Sequence, residues 1–143
     1  MTDDLDQAAL LPGYYLHWVE DHVRYRDLDV LGHCNSAVYS TFFESARVAL
    51  LDLVGHKPVG YRHGFAVVRQ TIHYRRELHL GAQLRIGTRV IKLGRTSVAL
   101  ANAIFSEAHC AATAEIVGVV ISMESRRPVE LPPDLREGLS AYL

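Results

Sequence analysis

Cysteine is scarce in this chain: Cys34 and Cys110 are the only two among 143 residues. Two cysteines build no disulfide framework, and no C-x-x-C pair occurs, so a stapled extracellular scaffold is not expected. An excess of one charge is missing as well. Fifteen basic and sixteen acidic residues leave a formal net charge of −1, which argues against a general nucleic-acid binder. No stretch approaches the ~18 uninterrupted apolar residues of a membrane span. The N-terminus, Met1 to Gln7, is acidic where a signal peptide would be basic, and the short apolar run after it stops at Pro12-Gly13. A cytoplasmic location is therefore expected. No G-x-G-x-x-G or Walker loop and no H-E-x-x-H or zinc-spaced Cys/His set occurs, so neither a metal nor another cofactor is expected. What remains is ordinary globular material, 49% hydrophobic and 22% charged. At this size a single core buries roughly two-thirds of the unfolded chain's surface, so one domain suffices.

Residues 1–13 read as an acidic tail ending in a turn, and residues 14–143 as one domain. Tyr14 to Arg26 mixes apolar and polar residues, with Tyr15, His17, Val19, Val23 and Tyr25 largely on alternate positions, the pattern of a strand with one covered face. Asp27 to Ser36 is a polar loop, with Asn35 or Ser36 suited to cap a helix. Ala37 to Val54 is the clearest helix. Tyr39, Phe42, Phe43, Ala46, Leu50 and Leu53 recur at helical spacing, and Gly55 then Pro58 mark its end. After a linker with Gly60 and Gly64 the period changes to two. Strands are predicted over Phe65–Leu78, Ala82–Leu93, Arg95–Ser106 and Cys110–Met123. On the first, Ala66, Val68, Ile72 and Tyr74 share a side. A short helix over Asp134–Leu143 closes the chain.

The order predicts an α+β layer: one long helix on a twisted antiparallel sheet of about five strands, with short connections implying antiparallel neighbours. One helix does not cover such a sheet, so its edges and leftover apolar surface call for a second subunit.

The densest polar constellation is Asp27-x-Asp29-x-x-Gly32-His33-x-Asn35, set between a strand and a helix N-terminus. Free N–H groups and positive potential there polarise a carbonyl or hold an anion. A carboxylate just ahead of them is placed for general-base or nucleophilic work. The plainer alternative is a capping loop whose aspartates bond only to backbone.

This stretch, followed by Tyr39, Phe42-Phe43-Glu44 and Ala46-Arg47, resembles the opening motif of the hotdog-fold acyl-CoA thioesterases, in their 4-hydroxybenzoyl-CoA thioesterase-like branch. Leu93-Gly94-Arg95-Thr96-Ser97 is similar to that family's mid-sheet turn, and Arg127-Pro128 with Leu131-Pro132 to its closing segment. The resemblance spans about residues 17–138. It implies a hotdog domain over 14–143 and places the catalytic carboxylate on Asp29. It implies a polarising backbone N–H near Asn35, Ser36 or Ala37, and a site lined by Gly32, His33, Asn35 and Ser36. It also implies dimers joined sheet edge to sheet edge, often paired into tetramers, with active sites between subunits.

Other candidates weigh less. Glu44 and Arg47 stand at i and i+3, where an ion pair is the simpler reading than catalysis. Cys34 beside His33 is weak support for a thiol nucleophile. Lys92, Arg95 and Thr96 are the candidates for the CoA phosphates, with Arg75-Arg76 and Arg126-Arg127 as further guanidinium pairs. The expected activity is hydrolysis of a fatty or aromatic acyl-CoA to free acid and CoA without metal. A non-catalytic acyl-CoA-binding hotdog module and an acyl-carrier-protein thioesterase are the alternatives. The partners expected are the acyl-CoA substrate and a second copy of the chain, as homodimer or homotetramer, with no nucleic acid and no membrane.

Overall fold

The computed structural model describes residues 7–56 and 62–143. Residues 1–6 of the acidic tail, and Pro58 and Gly60 after the helix, lie outside the described residues. The elements are β1 (His17–His22), α1 (Ser36–Leu53), β2 (His63–Tyr74), β3 (Gln83–Leu93), β4 (Ser97–Ser106), β5 (His109–Ser122) and α2 (Pro133–Ser140). The strands form one antiparallel sheet in the order β1-β3-β4-β5-β2, and α1 packs chiefly over β1, β3 and β4. No helix among the described residues is long and apolar enough to cross a membrane.

The helix forms where its spacing and caps predict. Asn35 is extended (φ −60°, ψ 135°), and its side chain accepts the Ala37 N–H. Gly55 takes the positive φ (+90°) that ends the helix. Tyr39, Phe42, Phe43, Ala46 and Leu50 are buried against Leu84, Ile86, Leu100, Ile104 and Ile116 of the sheet. Leu53 belongs to the same arc by spacing, yet it is exposed, because as the last helical residue it has no following turn to shield it. Leu51 and Arg47 turn inward instead.

Three further expectations shift. The first strand is shorter, since its ladder ends at His22–Gln83. A 3-10 turn over Tyr25–Asp27 follows, closed by Asp27 Oδ2 accepting the Arg24 N–H at 2.8 Å. On β2 the alternation does not run through. A bulge between Val67 and Arg69 moves the register by one, so Phe65 and Ile72, an odd and an even residue, both face the core. Ala66 and Val68 therefore do not share a side with Ile72. Nor are β2 and β3 neighbours: β2 pairs with β5 at the opposite edge. The connection between them spans the fold, and its residue Leu78 is buried.

Candidate functional site

The loop between β1 and α1 is a small hairpin built from its own polar groups. The Asp27 carbonyl accepts the Asn35 N–H (2.8 Å), and Leu28 and Cys34 form an isolated antiparallel bridge. Asp29 organises the tip. Its carbonyl accepts the Gly32 N–H (3.0 Å), its N–H donates to the His33 carbonyl (3.2 Å), and its Oδ1 accepts the Leu31 N–H (2.9 Å). Gly32 supplies the positive φ (+83°) that lets the chain reverse there. The far side of the loop is pinned by Cys34 N–H to the Leu78 carbonyl at 2.7 Å. The β2–β3 connection thus forms the opposite wall.

That wall contributes Tyr74 and Glu77, which the motif did not point to, and it meets Tyr39 of α1. The Tyr74 hydroxyl donates to the Ser36 carbonyl and the Tyr39 hydroxyl to the Arg76 carbonyl, both at 3.1 Å. The two rings meet edge to face at 5.1 Å. His33 Nε2 lies 3.6 Å from a Glu77 carboxylate oxygen. Between the walls is a cavity of about 320 Å³, lined by Asp29, Leu31, His33 and Ser36 on the loop side and by Tyr39, Tyr74 and Arg75 to Glu77 opposite. Cys34 lines it too, but only 3% of its surface is exposed.

Among the groups of cavity-lining residues that lack a protein partner among the described residues, two bear on a carbonyl. One is Asp29 Oδ2, since Leu31 engages only Oδ1. The other is the Ser36 N–H. Of the N–H groups at the head of α1, Asn35 donates to Asp27, Ala37 to the Asn35 side chain and Val38 to the Asn35 carbonyl. A basic oxygen and an unsatisfied helix N-terminal donor on one small cavity suit attack on a carbonyl.

Residues 23–139 match the family model of the thioesterase-like superfamily. The chain belongs to that superfamily. Its enzymatic class is thioester hydrolase, and its α+β layer is the hotdog fold. The PA5185 protein from Pseudomonas aeruginosa is 31% identical, covering 93% of this chain and 95% of that one with a TM-score of 0.88. A Thermus thermophilus thioesterase, solved with coenzyme A and zinc, is 32% identical over 90% of this chain and 94% of its own (TM-score 0.80). A DHNA-CoA thioesterase from Staphylococcus aureus shares the fold at 23% identity, covering 87% and 89% with a TM-score of 0.81. No curated protein matches the chain.

In this hotdog domain the expected site residues divide. Asp29, His33 and Ser36 line the cavity, whereas Gly32 and Asn35 build the loop and cap beneath it. Lys92, Arg95 and Thr96 are not brought to it. The Asp29 loop leaves the sheet beside Gln83, and these residues stand at the other end of β3, roughly 30 Å of strand away. There Arg95 lies 3.6 Å from Glu130, both well exposed. The guanidinium pair that does reach the cavity is Arg75-Arg76.

Glu44 pairs with Arg47 at 3.6 Å, about 12 Å along the helix axis from Ser36. Burial lowers the Arg47 pKa, and the Glu44 carboxylate offsets part of that shift. Burial, with Asp27 and Asp29 nearby, pushes the Cys34 thiol up to about 11. It is a protonated core residue at neutral pH and a poor nucleophile. Among the described residues no group of three His, Cys, Asp or Glu side chains is placed to hold a metal ion.

Proposed function

We propose that this thioesterase hydrolyses a fatty or aromatic acyl-CoA, with Asp29 as the catalytic carboxylate and the Ser36 N–H as the donor to the thioester oxygen. The observation that carries the reading is that Asp29 Oδ2 and the Ser36 N–H are both unpartnered on one cavity. As the carbonyl carbon becomes tetrahedral, negative charge moves onto its oxygen. A backbone donor at a helix N-terminus is already oriented to receive that charge. Asp29 either attacks the carbon, giving a mixed anhydride that water then opens, or takes a proton from the attacking water. Both routes expel CoA thiolate and leave a carboxylic acid. Tyr39 and Tyr74 supply an aromatic wall for the acyl group or the pantetheine arm.

Arg76 borders the cavity within the chain and suits a carrier phosphate. Lys92, Arg95 and Thr96 serve that carrier only from a second copy, in keeping with a site completed between subunits.

Thiol release across a panel of acyl-CoAs tests this. Asp29→Asn keeps side-chain volume and can still accept the Leu31 N–H, but loses basicity and nucleophilicity. Its kcat is expected to fall by about 10²–10⁴-fold, with an unchanged melting temperature. Asp27→Asn, at the residue that closes the 3-10 turn, is expected instead to lower the melting temperature. Near-normal turnover in a folded Asp29→Asn protein would reassign the chemistry.

A further inference from the structure

The sheet face turned away from α1 carries a second and larger basin, of about 790 Å³, that shares only Arg75 with the lining of the Asp29 cavity. Its sidedness follows from alternation. Thr113 and Glu115 line it while Ala112 and Ile116 face the core, and Arg69 and Thr71 line it while Gln70 bonds Ser40 of α1 and Ile72 packs inward. Arg69, Arg75 and Arg89 converge on it with Glu115 as the one acidic side chain. Two of the three guanidiniums are engaged. Arg69 pairs with Glu115 at 2.6 Å, and Arg89 donates to the Tyr14 carbonyl at 3.1 Å while lying 4.9 Å from the Tyr14 ring centroid. Arg75 gives only its Nε, to Thr113 Oγ1 at 3.3 Å, so both its terminal nitrogens lack a protein acceptor among the described residues. Between the charges the lining is apolar: Ile91 and Ala101.

We propose that this basin binds a small amphiphile: an oxyanion head, carboxylate or phosphate, held by the open fork of Arg75, with an apolar body lying on Ile91 and Ala101. Charge selects the head, because a guanidinium with two free parallel N–H groups matches a planar or tetrahedral oxyanion. Size selects the body. The basin lies within the range of small-molecule sites and is far larger than a lone carboxylate or phosphate, so an inorganic ion would leave the apolar lining uncovered. The inference does not rest on the assignment of Asp29.

Calorimetric titration of the full chain with octanoate, octyl phosphate and adenosine bisphosphate tests it. One octyl ligand per chain is expected, and comparing the two octyl compounds identifies the preferred head group. Arg75→Gln is expected to weaken binding by about tenfold or more, the effect of losing a charge-assisted pair. Ala101→Leu removes no charge but fills the floor, and is expected to do the same with its melting temperature and basal thioester hydrolysis retained. Asp29→Asn is expected to bind as the unaltered chain does, which separates this basin from a product bound in the Asp29 cavity. The proposal is overturned if no octyl compound binds, if Ala101→Leu binds normally, or if Asp29→Asn abolishes binding. Exclusive binding of adenosine bisphosphate would make the basin a carrier subsite instead. Loss of an oligomer in Ala101→Leu, seen by light scattering, would make the face a contact between copies and equally overturn it.

Discussion

In the proposed mechanism carbonyl polarisation turns on Ser36, because the N–H groups on either side of it are already taken by Asp27 and Asn35. Its position permits an unusually clean test. Proline is tolerated at the first residue of a helix, where no intrahelical bond is lost. Asn35 ahead of it already has the extended conformation that proline requires of its predecessor. Ser36→Pro is therefore expected to fold with a melting temperature near that of the unaltered chain while deleting the N–H. Steady-state hydrolysis is expected to show kcat down by about 10²–10³-fold, the effect of losing one oxyanion donor. Unimpaired kcat in the folded variant would exclude this N–H. Asp29, His33 and Ser36 were legible because the loop motif and the cap place them within eight residues of one another. Tyr74 and Glu77 were not, because they reach the cavity from the end of β2 and the connection after it, some forty residues further on.

At the scale of elements, β1 is the edge strand whose chemistry is most exposed to pH. His17 packs edge-on to Tyr142, with ring centroids 6.0 Å apart, and its Nδ1 is buried without a hydrogen-bond partner. Burial lowers its pKa from the ordinary value. The unfolded chain then binds a proton more readily than the folded one. Stability is thus fully present above about pH 6.5 and is lost as pH falls below it. The melting temperature is expected to drop between about pH 7 and pH 5, and His17→Phe to flatten part of that slope. His56, lowered by burial and by neighbouring His63, adds to the slope in the same direction. A slope identical in His17→Phe would show that His17 is not held neutral. The same scale shows where periodicity misled. β2 was legible as a strand, but the bulge between Val67 and Arg69 depends on its pairing with β5, and a two-residue period carries no mark of that.

For the whole molecule, the decisive feature is the free edge of β2. Val67 and Val68 are 41% and 60% exposed there, and Tyr74 and the loop-tip residues Val30 and Leu31 add further apolar surface. Long apolar edges invite pairing with another chain. Light scattering is expected to give an even multiple of 16.0 kDa, a dimer first. Val68→Lys places a charge on the edge at an already exposed position. It is expected to yield a folded monomer with a raised KM for acyl-CoA, because the Lys92–Thr96 turn then has no second site to serve. A monomeric unaltered chain would remove both the edge-to-edge assembly and the shared site.

Local pattern was enough for the layer and for the place of its candidate loop: a capped amphipathic helix, strands largely of period two, and a carboxylate loop ahead of the helix. These follow from local rules, since spacing and caps act between residues a few positions apart. The tertiary structure decided what depends on distant pairing. It set β2 beside β5 rather than β3, and it made the β2–β3 connection the second wall of the site. It put Lys92, Arg95 and Thr96 at the far end of β3 from Asp29, and it gathered Arg69, Arg75 and Arg89 on the face away from α1. The physical reason is that strand order is settled by which hydrophobic faces and backbone edges meet, and no single segment encodes its partner.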